Sequence, residues 1–124
     1  MLLWRGPQEQ IEGVKWSTCS NIEEFVGDAR CVIYGGGLPF CNARIPFWED
    51  LNVFIDICEK KHVSIIAISI GSQGTYFDLH PVAKRFAATK ALKAASLRLK
   101  IDEQWLGQMG KEVEYSPDIV LTAL

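Results

Sequence analysis

The sequence predicts an α/β fold, in the form of a Rossmann-like three-layer sandwich with a small, mostly parallel sheet. Short apolar runs rich in β-branched residues, such as VSIIAISIG at residues 63–71, alternate with segments of helical length. Because parallel strands need a long connection, this alternation favours parallel pairing through right-handed helical crossovers. A length of 124 residues with 48% hydrophobic content fits one domain spanning residues 1–124.

Residues 1–30 are expected to form an N-terminal extension or edge strand followed by a short helix. The stretches MLLW and GVKW each fit a strand or a flap. SNIEEFVGDA at residues 20–29 predicts the helix, because Ser20 is placed to cap its first turn and Glu23 to reach back to the cap. CVIY at residues 31–34 lacks apolar–polar alternation, which predicts a strand buried on both faces.

Helices and strands alternate through the rest of the chain. PFWEDLNVFIDICEKKH repeats apolar residues at helical spacing and carries basic residues in its last turn. HPVAKRFAATKAL at residues 80–92 predicts a second crossover helix, with Pro81 in its first turn. The remaining predicted elements are strands at residues 63–70, 95–99 and 113–115 and a helix at residues 102–110.

Glycine-rich turns follow the first two predicted strands, in CVIYGGG and ISIGSQG. Ligands of open α/β sheets bind beyond the carboxyl ends of the strands, so two neighbouring strands would bring these turns into one crevice. The dinucleotide fingerprint and the Walker loop are both missing, since Phe40 replaces the third glycine and no Gly-Lys-Ser/Thr follows. The alternative is that the glycines only permit a positive-φ turn. The candidate ligand-binding residues are Gly35, Gly36, Gly37, Asn42, Arg44, Gly71, Ser72 and Gly74.

A basic stretch without acidic residues lies between Asp78 and Asp102. Such a stretch can line an anion site, dock an acidic polymer or form a solvated helix face. Arg98 differs from the others because it falls inside a predicted strand, where a charge needs a partner or a function. The net charge of −2 argues against nucleic acid as the partner. The positive residues are Lys84, Arg85, Lys90, Lys93, Arg98 and Lys100.

Asp118 follows Pro117 at the end of the fourth predicted strand, at the same edge as the glycine turns. It is a candidate catalytic residue together with Arg98, and the alternative for Asp118 is a turn-forming role in SPD. His62 follows a predicted helix end and His80 precedes Pro81. Both histidines are interpreted as surface or capping residues, with acid–base work as the alternative.

The cysteines at positions 19, 31, 41 and 58 form no CxxC pair and have no histidine at zinc-ligand spacing. We therefore expect free thiols, with Cys31 and Cys58 on core faces, and neither a metal nor a cofactor. The apolar runs are too short to cross a membrane, and MLLWRGPQEQ lacks the apolar core and cleavage site of a signal peptide. These features predict a cytoplasmic protein without a membrane partner.

Residues 31–124 resemble part of the N-terminal lobe of the polysaccharide pyruvyl transferases. The resemblance lies in the order of VIYGGG, KHVSIIAISIG and ASLRLKIDEQWLGQMGKEVEYSPDIVL. It departs from the family pattern at Leu99, where an acidic residue is usual, at Asp102, where a serine is usual, and in the missing second lobe. The positions that match the family pattern in the last third of the chain are Arg98, Leu106, Gly110, Pro117 and Asp118.

The resemblance implies a domain that binds a phosphorylated or sugar-type ligand, such as phosphoenolpyruvate or a sugar phosphate, at the glycine-rich edge of the sheet. In the family, the enolpyruvyl unit of phosphoenolpyruvate becomes a ketal on sugar hydroxyls. For this chain the resemblance implies a truncated or degenerate transferase, with a homo-oligomer or a partner chain supplying the missing lobe. The alternative is a catalytically inactive interaction or assembly module.

Overall fold

A computed structural model describes residues 21–36, 39–43, 47–73 and 78–116 of the chain. In these ranges four parallel strands pair in the order β1-β2-β3-β4. The Rossmann-like α/β class and the parallel sheet are therefore confirmed. The elements in chain order are α1 (Ile22–Val26), β1 (Cys31–Gly35), α2 (Phe47–Lys61), β2 (Ser64–Ile70), α3 (Pro81–Ala88), β3 (Leu92–Leu97), α4 (Lys100–Gln108) and β4 (Glu112–Tyr115).

The connecting helices α2, α3 and α4 lie against the same face of the sheet. When parallel strands are arranged in chain order and each crossover is right-handed, all the connecting helices lie on one side of the sheet. Ring contacts show the result, because Tyr34 of β1 lies 5.2 Å from Phe86 of α3 and 6.4 Å from Phe54 of α2, between ring centroids. Phe40 in turn lies 5.1 Å from Trp105 of α4. The third layer of the expected sandwich is not formed by the residues that the structure describes.

The other face of the sheet, which we call the open face, is in contact with solvent. Its central row joins Ile33, Ile66, Ala94 and Glu112 across the four strands. The side chain of Ile33 is 62% exposed, whereas its neighbour Val32 is buried. The prediction that residues 31–34 are buried on both faces is therefore wrong. The open face consists of Cys31, Ile33, Gly35, Ser64, Ile66, Ile68, Ala94, Ser96, Glu112 and Glu114.

Side-chain caps fix where two helices begin. Asn21 caps α1, since its Oδ1 accepts hydrogen bonds from the backbone N–H groups of Glu23 at 2.9 Å and Glu24 at 3.3 Å. The predicted cap at Ser20 is thus one residue too early. His80 caps α3, with its Nδ1 accepting a hydrogen bond from the backbone N–H of Val82 at 3.2 Å. This confirms the capping interpretation of His80.

The boundary between α3 and β3 differs from the prediction. Helix α3 ends at Ala88, and the side chain of Thr89 then donates a hydrogen bond to Glu59 Oε1 at 2.6 Å and accepts one from the backbone N–H of Ala91. Strand β3 therefore starts at Leu92 and ends at Leu97, earlier than the predicted residues 95–99. As a consequence Arg98 lies just beyond the strand, which corrects its placement inside one.

Three cysteines lie in the described ranges, and all three are free thiols. Cys41 and Cys58 are buried, as a small hydrophobic residue would be. Cys31 is exposed on the open face, so its predicted core position is wrong. Cys19 lies outside the described residues.

Candidate ligand-binding rim

The carboxyl ends of all four strands meet at one edge of the sheet, which we call the carboxyl rim. It contains Gly35 at the end of β1 and Gly36 after it, Gly71 and Ser72 after β2, Arg98 after β3 and Ser116 after β4. Strands β1 and β2 are neighbours, and the backbone N–H of Gly36 donates to the carbonyl of Ile68 at 2.9 Å. The two glycine turns are therefore adjacent, as the sequence predicts.

The structure brings five of the predicted site residues to this rim, namely Gly35, Gly36, Gly71, Ser72 and Arg98. Asn42 lies exposed on the following segment, residues 39–43. The other predicted site residues, Gly37, Arg44, Gly74 and Asp118, lie outside the described residues. Part of the predicted set of site residues therefore lies together at the carboxyl rim.

The two described glycines of the first turn play different roles. Gly36 has a φ of +70°, a conformation that side chains disfavour, so the turn itself requires this glycine. Gly35 is exposed, and a Cβ added there would meet none of the described atoms within 4 Å. Space beside Gly35 is consequently open to an approaching ligand.

Residues 39–43 are held against the second turn by backbone hydrogen bonds. Phe40 forms a bridge with Ser72, and its carbonyl accepts from the N–H of Gln73 at 2.8 Å. The carbonyl of Cys41 accepts from the N–H of His80 at 2.9 Å. This segment covers Ser72, which is only 7% exposed.

Strand β2 ends in an irregular step just before the rim. Between Ala67 and Ile70 it contains one more residue than β3 does opposite, which is a bulge. Ser69 within it is buried and has a φ of +55°, a strained value for a residue with a side chain. The bulge changes the direction of the chain immediately before Gly71 and Ser72.

A buried polar cluster lies beneath the rim. Ser72 Oγ donates a hydrogen bond of 2.5 Å to Oδ1 of Asp102, and Trp105 Nε1 donates one of 3.3 Å to the same oxygen. Asp102 is completely buried, and among the described residues its Oδ2 has no hydrogen-bond partner. Asp102 stands in the first turn of α4, where the helix dipole favours a negative charge.

This cluster was not identified from the sequence. The sequence predicts Ser72 as a ligand-binding residue of the second glycine turn, but it assigns no function to Asp102 and does not pair the two residues. The two residues are separated by 30 positions, so nothing in local spacing joins them. A buried carboxylate oxygen without a partner is rare in folded proteins and needs an explanation.

Positive charge at the rim comes from Arg98 and Lys100. The backbone N–H of Arg98 donates to the carbonyl of Ile70 at 2.9 Å, which fixes the start of the Arg98 side chain beside the second turn. The ammonium of Lys100 lies 5.2 Å from the centre of the Tyr115 ring, a cation–π contact. Both cations lie within four positions of Asp102 in the chain.

The predicted basic stretch does not form a single surface. Arg85 on α3 is bound to Asp56 and Glu59 of α2, and to Asn52 Oδ1. Lys90 and Lys93 lie at the amino ends of the strands, opposite Arg98 and Lys100. This stretch therefore does not form a continuous basic face to which an acidic polymer could bind.

The two histidines have different surroundings. The His80 ring stacks on Trp48 with centroids 4.3 Å apart and planes 2° from parallel. Trp48 Nε1 in turn donates to the carbonyl of Ala43 at 2.8 Å. His62 is exposed after the last turn of α2, with a φ of +56°. These contacts give His80 a structural role at the start of α3.

Comparisons with known protein families, with curated proteins and with solved structures give no match for this chain. The resemblance to pyruvyl transferases therefore depends on the sequence motifs alone. None of the helices in the described ranges combines the length and the apolar composition needed to cross a bilayer.

Proposed function

We propose that the carboxyl rim binds a phosphorylated or sugar-type ligand, as a pyruvyl transferase-like domain would. The observation that carries this proposal is the convergence of Gly35, Gly36, Ser72 and Arg98 at one edge of a parallel sheet, above the buried Asp102. Ligand sites of open α/β folds lie at this edge.

Each part of the rim supplies a different interaction with such a ligand. Arg98 offers a planar set of N–H donors suited to a phosphate or carboxylate. Gly35 leaves space in which ligand atoms approach the backbone closely. Asp102, held by Ser72 and Trp105, has one carboxylate oxygen without a hydrogen-bond partner among the described residues, and this oxygen would accept a hydrogen bond from a ligand hydroxyl once the rim opens.

We further propose that the enolpyruvyl unit is transferred to a sugar at this rim. Formation of a pyruvate ketal joins two sugar oxygens to C2 of phosphoenolpyruvate, protonates its methylene carbon and releases inorganic phosphate. Such a reaction needs a cation for the leaving phosphate and an acid–base group for the proton. We assign Arg98 to the phosphate and Asp118 to proton transfer, with the second lobe on another chain in the cytoplasm.

Binding is tested by thermal shift with phosphoenolpyruvate and with a sugar phosphate. Gly35→Ala fills the open space beside the backbone without a positive-φ penalty, and Arg98→Gln removes the cation. We expect both variants to lose most of the ligand-induced shift. Arg30→Gln is the matched control, because Arg30 is exposed before β1 at the opposite edge. Equal shifts in all four proteins would rule out the rim as the binding site.

Transfer is tested separately by phosphate release from phosphoenolpyruvate in the presence of a polysaccharide acceptor. Release that disappears in Arg98→Gln and persists in Arg30→Gln supports the transferase. Ligand binding without release at any protein concentration contradicts transfer by this chain and leaves the binding proposal intact.

The open face favours a second candidate function, assembly into a dimer. Parallel sheets are almost always covered on both faces, whereas Ile33 and Ile66 are 62% and 37% exposed here. We infer that a second copy covers β1 and β2 about a two-fold axis, with the isoleucines of both copies in contact. Glu112 and Glu114 on β4 then stay at the solvated edge of the interface, where charges are tolerated.

The size of the open face indicates how strong this dimer is. Four strands about 4.8 Å apart and roughly five residues long present about 300 Å² in projection. Stable interfaces bury about 800 Å² per partner, so we expect a weak dimer. Light scattering over a concentration series should show association that Ile33→Asp abolishes and Glu24→Gln, on exposed α1, preserves. A monomer at all concentrations would exclude the second copy.

A further inference from the structure

A cavity of about 580 Å³ lies at the amino ends of β2 and β3, the edge of the sheet opposite the carboxyl rim. Its apolar wall includes Cys58 and Val63 near the end of α2 and Ala91 just before β3. His62, Lys90 and Lys93 also line it. We call it the amino-edge cavity.

The positive groups of this cavity outnumber the negative ones. Glu59 is the carboxylate in its lining, and it is already bound by Arg85 at 3.1 Å and by the hydroxyl of Thr89 at 2.6 Å. Among the described residues, neither Lys90 nor Lys93 forms an ion pair with a carboxylate. The cavity therefore holds two lysine charges that the described chain does not neutralise.

A third lysine adds to this concentration of positive charge. Lys111 Nζ donates a hydrogen bond to the carbonyl of Thr89, beside the cavity. Burial and the nearby charge of Lys93 lower the pKa of Lys111. The helix ends of α2 and α3 contribute about half a negative charge each, which is less than three lysines supply. An anion in the cavity would relieve the remaining repulsion.

We propose that the amino-edge cavity binds a phosphorylated small molecule. Its phosphate interacts with Lys90 and Lys93, and an apolar or aromatic group packs against Val63 and Ala91. The volume lies within the range of small-molecule sites, about 300–1,000 Å³. This site is separate from the carboxyl rim and does not depend on the function proposed for that rim.

Amide chemical shifts in ¹H–¹⁵N spectra test the site, with inorganic phosphate and phenyl phosphate as the two probes. We expect shifts at residues 62–64 and 89–93, and binding of phenyl phosphate about tenfold tighter because its ring uses the apolar wall. Lys93→Gln should weaken both probes about tenfold, since a charge-assisted hydrogen bond contributes about that factor. Lys60→Gln is the matched control, an exposed lysine of α2 outside the lining, and should change binding less than twofold.

Three outcomes would overturn the proposal. Shifts confined to Gly35, Gly36 and Ser72 would place the anion at the carboxyl rim and support the function proposed there instead. Equal weakening by Lys93→Gln and Lys60→Gln would show non-specific attraction to net charge. Shifts in the expected residues for neither probe would show that the cavity does not take a phosphate. A melting temperature for Lys93→Gln no lower than that of the parent chain establishes that this variant is folded.

Discussion

The two faces of the sheet contain similar apolar residues but differ in burial. On β2, Ile65 is fully buried under the helices, while Ile66 next to it is 37% exposed on the open face. On β1, Val32 and Ile33 differ in the same way. A side chain's hydrophobicity therefore does not establish its contribution to stability, because burial depends on whether a helix covers that face.

The largest loss of stability is expected from a substitution in the aromatic cluster on the covered face of the sheet. Phe86 is fully buried and contacts the rings of Tyr34 and Phe40. Phe86→Ala should lower the free energy of unfolding by about 3–5 kcal/mol, because it removes buried area and leaves a cavity. Urea denaturation measures this, with Phe25→Ala on exposed α1 as the control. A loss below about 1 kcal/mol would mean that the covered face is loosely packed.

A smaller effect is expected from pH, again on the covered side. Burial, with a contribution from Cys41, raises the pKa of Tyr34 to about 12. The unfolded chain loses this proton near pH 10. The contribution of Tyr34 to the free energy of unfolding is therefore fully present below pH 10, and it falls by about 3 kcal/mol as the pH rises through 12. Tyr34→Phe should remove this part of the alkaline transition, measured by circular dichroism.

Two other residues help to interpret the experiment on Tyr34→Phe. Tyr115→Phe, at the exposed end of β4, should leave the transition unchanged. Burial also raises the pKa of the Cys58 thiol to about 11, so part of the alkaline loss should persist in Tyr34→Phe. An alkaline transition that is identical in Tyr34→Phe and the parent chain would contradict the packing of this half-buried ring against the core.

The smallest effect is expected from removing one methyl group on each side of β2. Ile65→Val should cost about 1 kcal/mol, as is typical of a buried position. Ile66→Val should stay within about 0.5 kcal/mol, since this side chain keeps much of its contact with water. Matched urea titrations compare the two. Similar costs would show that the open face is covered in solution, as the proposed dimer requires at high concentration.

The alternation of strands and helices was readable from the sequence because its signals are local. VSIIAISIG predicts β2 through its β-branched residues, and the helical spacing of Leu51, Phe54 and Ile55 predicts α2. The adjacency of the two glycine turns was predicted on the condition that β1 and β2 are neighbours, and the structure pairs these two strands. These features depend on residues close together in the chain.

Other features depend on contacts that local patterns do not contain. The apolar spacing of ATKAL continues the α3 pattern, but Thr89 ends the helix by bonding to Glu59 of α2. Isoleucines occupy both sides of β2, so periodicity gives no sign that one face is open. The pair of Ser72 and Asp102 likewise forms only when β2 and α4 are folded together.

The chain-order arrangement of the strands has a consequence for how the molecule folds. Among the described residues, each strand pairs only with the strands immediately before and after it in the chain. The pairing of an early strand therefore does not require a strand that is far away in the sequence. Topologies with shorter sequence separation between partners fold faster. Strand β4 is the shortest and has one pairing partner in the described residues, so its amides should exchange with deuterium before those of β2. Among the described strands, the centre of the sheet at β2 and β3 is therefore expected to be more stable locally than its edge at β4.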